Sequence, residues 1–213
     1  LSGVIYAGCN YALYRAFAIG PVKLVAPLIG AFPLLSLGMA MLQGQPVGFG
    51  HWIAVVVVIG GVGAVALLSA DEDGGAFDTS TILWAIAAAV GFAMTFAVGQ
   101  TATRTGADLP VLILTRMAAV LTVIAVVIIS RTSIRPPLRT LPLLCIMGAL
   151  DALALGLVLY SGTLPRAEFA AVSSSLFGLI TVVLAWAILR ETMTRGQWAS
   201  VAITFAGIAY LGL

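Results

Sequence analysis

The chain has 213 residues, of which 62% are hydrophobic and only 8% are charged. Soluble domains carry roughly 25% charged residues, so this composition excludes a soluble globular protein and indicates an integral membrane protein. The net charge of +2 is too small to indicate a nucleic-acid partner, and the two cysteines, Cys9 and Cys145, lie in apolar runs that favour buried thiols over a disulfide framework.

Apolar segments long enough to cross a bilayer follow one another along the whole chain. A transmembrane helix needs about 20 mostly apolar residues, and by this rule we predict eight spans. They are Leu1–Ile19, Val22–Leu42, His51–Ser69, Thr81–Ala102, Pro110–Ser130, Leu141–Tyr160, Arg166–Leu189 and Gln197–Leu213. Because lipid offers no hydrogen-bond partner to exposed backbone, we predict an all-α, polytopic membrane helix bundle in the cell (plasma or inner) membrane.

Two local patterns bear on how these helices begin and break. Thr194 and Gln197 have the spacing of a capping box before the last span. Pro27 and Pro33 lie inside the second span, where a proline removes a helical hydrogen bond and breaks or kinks the helix. Such a break is compatible both with a bent structural helix and with a helix that lines a cavity.

A glycine-rich acidic segment, Asp71–Asp78, is the longest polar break in the chain. Its carboxylates are potential metal ligands, but no His or Cys accompanies them. We therefore predict a linker over residues 71–80, and neither a metal site nor a cofactor.

An internal repeat relates the two ends of the chain. A shift of 146 residues places the first three spans over the last three without a gap, and it moves Gly50-His51-Trp52 onto Gly196-Gln197-Trp198. Between the two copies the chain crosses the membrane an odd number of times, so the copies have opposite orientations. An inverted repeat is typical of secondary transporters, whose substrate site lies near the midplane between the halves.

The repeat predicts how the chain is divided. Residues 1–70 form the last three spans of a first repeat, and residues 81–213 form a second repeat of five spans. A complete first repeat would place two further spans before Leu1, giving ten in the whole protein.

Two stretches resemble a known family. The run Ala18–Leu35 looks like the fourth span of EamA-type transporters in the drug/metabolite transporter superfamily, and Leu189–Trp198 resembles that family's ninth-to-tenth-span junction. The resemblance implies a ten-helix permease or exporter of amino acids, other metabolites or drugs. It also implies a structural latch at Glu191. Gln45 stands where the repeat would place a second such glutamate, so the two halves are not chemically equivalent.

Asp151 lies near the middle of the sixth span, where an ionised side chain is costly unless it is paired, protonated or hydrated. One interpretation is functional: the carboxylate binds a proton or the ammonium group of a substrate. The other is structural: it pairs with Arg116, which is also well inside a span. The residue pattern is compatible with both.

Further polar and aromatic side chains are candidates for a substrate-binding or coupling site. They are Asn10, Tyr11, Tyr14, Trp84, Gln100 and Ser174. The first three can share one side of the first span at helical spacing. Interfacial anchoring is the alternative for the aromatic residues, and close helix packing is the alternative for Ser174.

We predict a secondary transporter of a small organic metabolite or drug that works by alternating access, and not an enzyme. H+ is the candidate coupling ion, and a homodimer is the candidate assembly. The alternatives are a membrane enzyme acting on lipid, which usually needs clustered His, Asp or Cys near a membrane border, and a non-transporting membrane subunit. The distribution of Lys and Arg and the family resemblance predict opposite membrane orientations.

Overall fold

The computed structural model describes residues 1–42, 48–72, 79–103, 108–131, 137–161 and 174–210. Within these ranges the chain forms helices and turns, and helices occur at all eight predicted span positions. Among the described residues, four helical segments are long and apolar enough to cross a membrane: Phe49–Leu68, Thr79–Thr103, Leu109–Ser130 and Leu138–Tyr160. The predicted polytopic helix bundle is confirmed, and the protein is a multi-pass membrane protein.

The helix ends agree with the predicted spans to within a few residues wherever the structure describes both. The helices are α1 (Ser2–Ile19), α2 (Val22–Gly30), α3 (Phe32–Leu42), α4 (Phe49–Glu72), α5 (Thr79–Thr103), α6 (Asp108–Ser130), α7 (Leu141–Tyr160), α8 (Phe177–Leu184) and α9 (Arg195–Tyr210). A 3-10 turn, Leu138–Thr140, precedes α7, and a π turn, Ala185–Leu189, continues α8.

The second predicted span is broken into α2 and α3 at Ala31. Pro27 lies inside α2, and Pro33 is the second residue of α3, where its missing N–H leaves no helical hydrogen bond unmade. The N–H of Ala31 donates to the carbonyl of Pro27 (3.1 Å), and the N–H of Leu34 donates to the carbonyl of Ala31 (3.0 Å). The two prolines therefore bracket the break.

Helix α1 packs against both α5 and α6. It buries mainly small side chains together with one aromatic ring, namely Tyr6, Ala7, Cys9, Ala12 and Ala16. A Cβ at Gly91 of α5 would collide with the Cβ of Cys9, so α1 and α5 approach closely through small residues, as membrane helices commonly do. This packing encloses a span that is less apolar than its neighbours.

A second packed region pairs α4 with α9 and α2 with α8. Its buried residues are Ala26, Val58, Val65, Val182, Val201, Phe205 and Ile208. The predicted capping box begins α9: the N–H of Thr194 donates to Oε1 of Gln197 (2.9 Å), and the N–H of Gln197 donates to Oγ1 of Thr194 (3.2 Å). That prediction is confirmed.

Helices α6 and α7 lie at the edge of the described bundle. Only 6% of the spanning window of α6 and 17% of that of α7 is buried. In α7 the buried residues are Leu155, Val158 and Leu159, near its C-terminal end. Asp151 therefore lies one turn before the part of α7 that packs against the bundle.

Candidate functional site

Side chains from three helices meet at Asp151 of α7. Arg116 of α6 donates from Nη1 to Oδ2 of Asp151 (2.6 Å) and from Nη2 to its main-chain carbonyl (2.5 Å). Tyr6 of α1 donates its hydroxyl to Oδ1 (2.5 Å). Each carboxylate oxygen thus has a donor, and the charges of the two ionisable groups cancel. We call these three residues the Asp151 network.

Tyr6 contacts both members of the ion pair. Its side chain is buried, and the guanidinium carbon of Arg116 lies 4.9 Å from the centroid of its ring, a position that favours a cation–π interaction. Asn10, one turn further along α1, donates from Nδ2 to the main-chain carbonyl of Tyr6 (2.9 Å). Asn10 therefore lies beside the network but does not touch the carboxylate.

The two charged side chains of the network differ in their exposure. The side chain of Asp151 is 48% exposed and that of Arg116 is 23% exposed. The Nε of Arg116 is buried and has no acceptor among the described residues. The carboxylate is therefore the more exposed partner of the ion pair, whereas the guanidinium is held between Asp151 and the ring of Tyr6.

An aromatic cluster adjoins the network at the break between α2 and α3. The ring of Phe92 lies 6.3 Å from Tyr6, 6.3 Å from Phe32, 6.1 Å from Phe96 and 6.4 Å from Phe177, centroid to centroid. Phe32, the first residue after the break, is fully buried. These rings fill the space between α1, α3, α5 and α8, and they connect the helix break to Tyr6.

The other aromatic candidates on α1 point away from the network. Tyr11 and Tyr14 are 58% and 59% exposed. The ring of Tyr11 packs edge to face against Trp84 of α5, with centroids 5.7 Å apart. The structure thus brings Tyr11 and Trp84 together outside the Asp151 network, and the ring of Trp84 is partly buried against a core formed by α1, α2 and α5.

Gln100 joins α5 to the C-terminal end of α7. Its Nε2 donates to the carbonyl of Val158 (3.2 Å) and to Oγ of Ser161 (3.3 Å), and one turn on, Oγ1 of Thr103 donates to the carbonyl of Leu159 (3.0 Å). Ser174 lies just before α8, and the structure does not bring it into the Asp151 network.

A separate cavity of about 300 Å³ lies between α2, α3, α4 and α5. Its lining is apolar and includes Leu28, Leu34, Ile59, Val62 and Ile82. The described residues that line it carry no polar side chain that would orient a solute, so we do not include it in the candidate site. Among the described residues no three His, Cys, Asp or Glu side chains gather as metal ligands, and most of the acidic linker, like Gln45, lies outside those residues.

Tyr6 is the residue of the network that the sequence reasoning missed. A signal was present, because Tyr6 lies one helical turn before Asn10 and a tyrosine hydroxyl inside a membrane span needs a hydrogen-bond partner. The contact with Asp151 itself depends on α1 and α7 being neighbours, which the local pattern does not determine.

The comparison with protein families places this geometry in context. The model of the EamA-like transporter family matches residues 79–213, which is more than half of the chain. No curated protein matches the chain. The family match covers α5 to α9, including both members of the Asp151–Arg116 ion pair. The chain therefore belongs to the EamA-like transporter family.

Proposed function

We propose that this protein is a secondary transporter that moves a small organic solute across the cell membrane by alternating access, with the Asp151 network as its coupling centre. The observation that carries the proposal is the Arg116–Asp151 ion pair, which is half-exposed at the carboxylate within membrane-spanning helices. Ionisable groups inside membrane spans commonly mark substrate or ion pathways. Family membership supports transport as the activity.

The division of the chain supports the same mechanism. We propose that residues 1–70 and 81–213 form two inverted halves joined by the linker 71–80. Helices from spans that the repeat makes equivalent are packed in pairs: α2 of the second span packs on α8 of the seventh, and α4 packs on α9. Transporters with inverted repeats place their sites between the halves and beside broken helices. The break at Ala31 is connected to Tyr6 through Phe32 and Phe92.

The network suggests how a proton would be coupled to the movement of helices. A proton on Asp151 removes the charge that holds Arg116, so the contact between α6 and α7 weakens and the guanidinium becomes available to another acceptor. Loss of that proton restores the ion pair and the hydrogen bond from Tyr6. The exposed side of the carboxylate is the entry point for the proton or for an ammonium group of the solute.

The test is flux in proteoliposomes that contain the protein or its Asp151→Asn variant, measured across a metabolite and drug panel with and without a proton gradient. Asp151→Asn should reduce flux to the level of empty vesicles. Thr122→Ala is the matched control on α6, because the hydroxyl of Thr122 bonds only within its own helix, to the carbonyl of Ala118 (2.7 Å).

Two outcomes would contradict the proposal. Equal flux in the protein and in Asp151→Asn, with both variants monodisperse by size-exclusion chromatography, would remove Asp151 from the transport cycle. Absence of flux for every compound in every form would favour a non-transporting membrane subunit.

A further inference from the structure

The carboxylate of Glu191 binds the N-terminus of α2, far away in the sequence. The N–H of Val22 donates to Oε1 (2.8 Å), and the N–H of Lys23 donates to Oε2 (3.0 Å). The first N–H groups of a helix lack partners within the helix, and the positive end of the helix dipole favours an anion. Nζ of Lys23, which is buried, also donates to the carbonyl of Thr192 (3.2 Å). Three hydrogen bonds thus tie the start of α2 to the segment after α8.

Two uncommon backbone features orient Glu191 towards the N-terminus of α2. The π turn Ala185–Leu189 ends at Arg190, which has φ 56° and ψ 33°. The N–H groups of Arg190 and Glu191 both donate to the carbonyl of Ala185. A left-handed residue other than glycine persists only where its surroundings hold it, and π turns are frequent at functional positions.

The rest of the junction is fixed to the bundle. Nε2 of Gln197, at the start of α9, donates to the carbonyl of Leu68 in α4 (3.3 Å). The rings of Trp186 and Trp198 pack edge to face with centroids 5.8 Å apart, which joins the π turn to α9. The junction is therefore held both to α9 of the second half and to α4 of the first half, and the bonds from Glu191 add a separate connection to the first half, at Val22 and Lys23.

Helix α2 stays in close contact with α8 beyond this point. A Cβ at Gly178 of α8 would lie 2.8 Å from the carbonyl oxygen of Ala26, and Ala26 is fully buried. Helix α2 is thus in close contact with the second half of the chain from its N-terminus at Val22 to Ala26, one helical turn later.

We propose that Glu191 and the N-terminus of α2 form a latch that closes one face of the bundle, and that release of this latch opens that face during transport. This inference rests on the proposed function, since alternating access requires the contact between the halves to open on each face in turn. Water can replace the carboxylate at both N–H groups, so the latch can open and close without leaving these donors unpaired. At the equivalent position of the first half the sequence has the uncharged Gln45, so the charge of the latch belongs to one half only.

The test measures access behind the latch with a charged thiol reagent. The full chain, with Cys9 and Cys145 replaced by alanine, carries Ala26→Cys as the reporter and is reconstituted into lipid vesicles. Glu191→Ala should raise the labelling rate by about tenfold, as expected when two charge-assisted hydrogen bonds are lost. Thr194→Ala is the matched control: it removes the capping hydrogen bond from the N–H of Gln197 to the hydroxyl of Thr194 in the same junction and leaves Glu191 in place, so labelling should stay within about twofold of the parent.

Equal labelling rates in the parent and in Glu191→Ala would overturn the latch. Equal acceleration by Thr194→Ala would also overturn it, because general loosening of the junction would then explain the result. If Glu191→Ala does not fold, Glu191→Gln replaces it: the amide oxygen accepts one of the two hydrogen bonds, so an intermediate rate supports the latch and an unchanged rate overturns it.

Flux measurements on the same vesicles separate the two proposals. Transport by the parent, together with equal labelling of the parent and Glu191→Ala, would support the transporter and contradict the latch. Accelerated labelling in Glu191→Ala, without flux for any compound of the panel, would show that the contact can open but would contradict the proposed transport.

Discussion

Gly61 of α4 lies against Thr204 of α9 so closely that a Cβ at position 61 would collide with the threonine hydroxyl. The shift of 146 residues relates Gly61 to Gly207 and Val58 to Thr204. The repeat therefore predicts a second, equivalent contact between Gly207 and Val58. The second contact is present, since a Cβ at Gly207 would lie 2.8 Å from Cγ2 of Val58. Reciprocal contacts of this kind are expected across a two-fold axis between inverted halves, and they support the proposed repeat.

Glycine-to-alanine changes on α4 should have opposite effects at neighbouring positions. Gly61→Ala forces a methyl group against Thr204, and overpacking of this kind costs about 1–3 kcal/mol. At Gly60 an added Cβ meets nothing within 4 Å, so Gly60→Ala should be neutral or stabilise by up to about 1 kcal/mol through helix propensity. Reversible unfolding in mixed micelles measures both free energies. A Gly61→Ala protein as stable as Gly60→Ala would contradict the described α4–α9 contact.

The ion pair should give a characteristic pattern in a double-mutant cycle. Arg116→Gln leaves the Asp151 carboxylate without its cation inside the membrane and should cost about 3 kcal/mol of unfolding free energy. Adding Asp151→Asn removes the unpaired charge and should recover most of that loss. The same micelle unfolding experiment supplies all four free energies. Additive losses in the double variant would mean that the two side chains do not interact as the 2.6 Å contact implies.

In the capping box of α9, replacing Gln197 should lower the stability of the protein more than replacing Thr194. Thr194→Ala removes one side-chain cap and should cost about 1 kcal/mol. Gln197 is fully buried and also donates to Leu68, so Gln197→Ala loses two hydrogen bonds and packing, a cost of about 2–3 kcal/mol. Thermal unfolding followed by circular dichroism would compare them. The reverse order of stability would argue against the bond to Leu68.

Gln100 should contribute to stability and not to solute affinity. Its amide is committed to the C-terminal end of α7, so Gln100→Leu should lower the unfolding free energy by about 1 kcal/mol and leave the KM for transport unchanged. Thr101→Ala is the control, because the hydroxyl of Thr101 is exposed and bonds only to Ala97 in its own helix. A changed KM in a Gln100→Leu protein of normal stability would place the amide in the solute path.

Features of the fold that depend on a single segment could be predicted from the sequence. Span length follows from bilayer thickness, the break at Ala31 follows from its two flanking prolines, and the start of α9 follows from the spacing of Thr194 and Gln197. The pairing of Asp151 with Arg116 was one of two alternatives, because few charged residues lie inside the spans and each needs a partner.

Features that depend on which helices are neighbours could not be predicted. Periodicity orients Tyr6 on α1 but does not say that α7 lies opposite, so the hydroxyl contact with Asp151 was missed. The π turn after α8 has no residue signature of its own, and it is compatible with an ordinary helical end until the position of α2 is known. Whether the network takes part in transport stays a prediction.

The π turn has a consequence for insertions and deletions in this region. A π turn contains one residue more than the α-helical turn it replaces. Deleting one residue of Ala185–Leu189 would therefore let an ordinary helical turn replace the π turn and would leave the residues that follow on nearly the same side of the helix. Deleting a residue from the ordinary turns of α8 would instead rotate the following segment by about 100° and turn Glu191 away from Val22, with its side chain chemically intact. The position of Glu191 is thus more sensitive to a deletion in the regular part of α8 than to a deletion in the π turn that follows it.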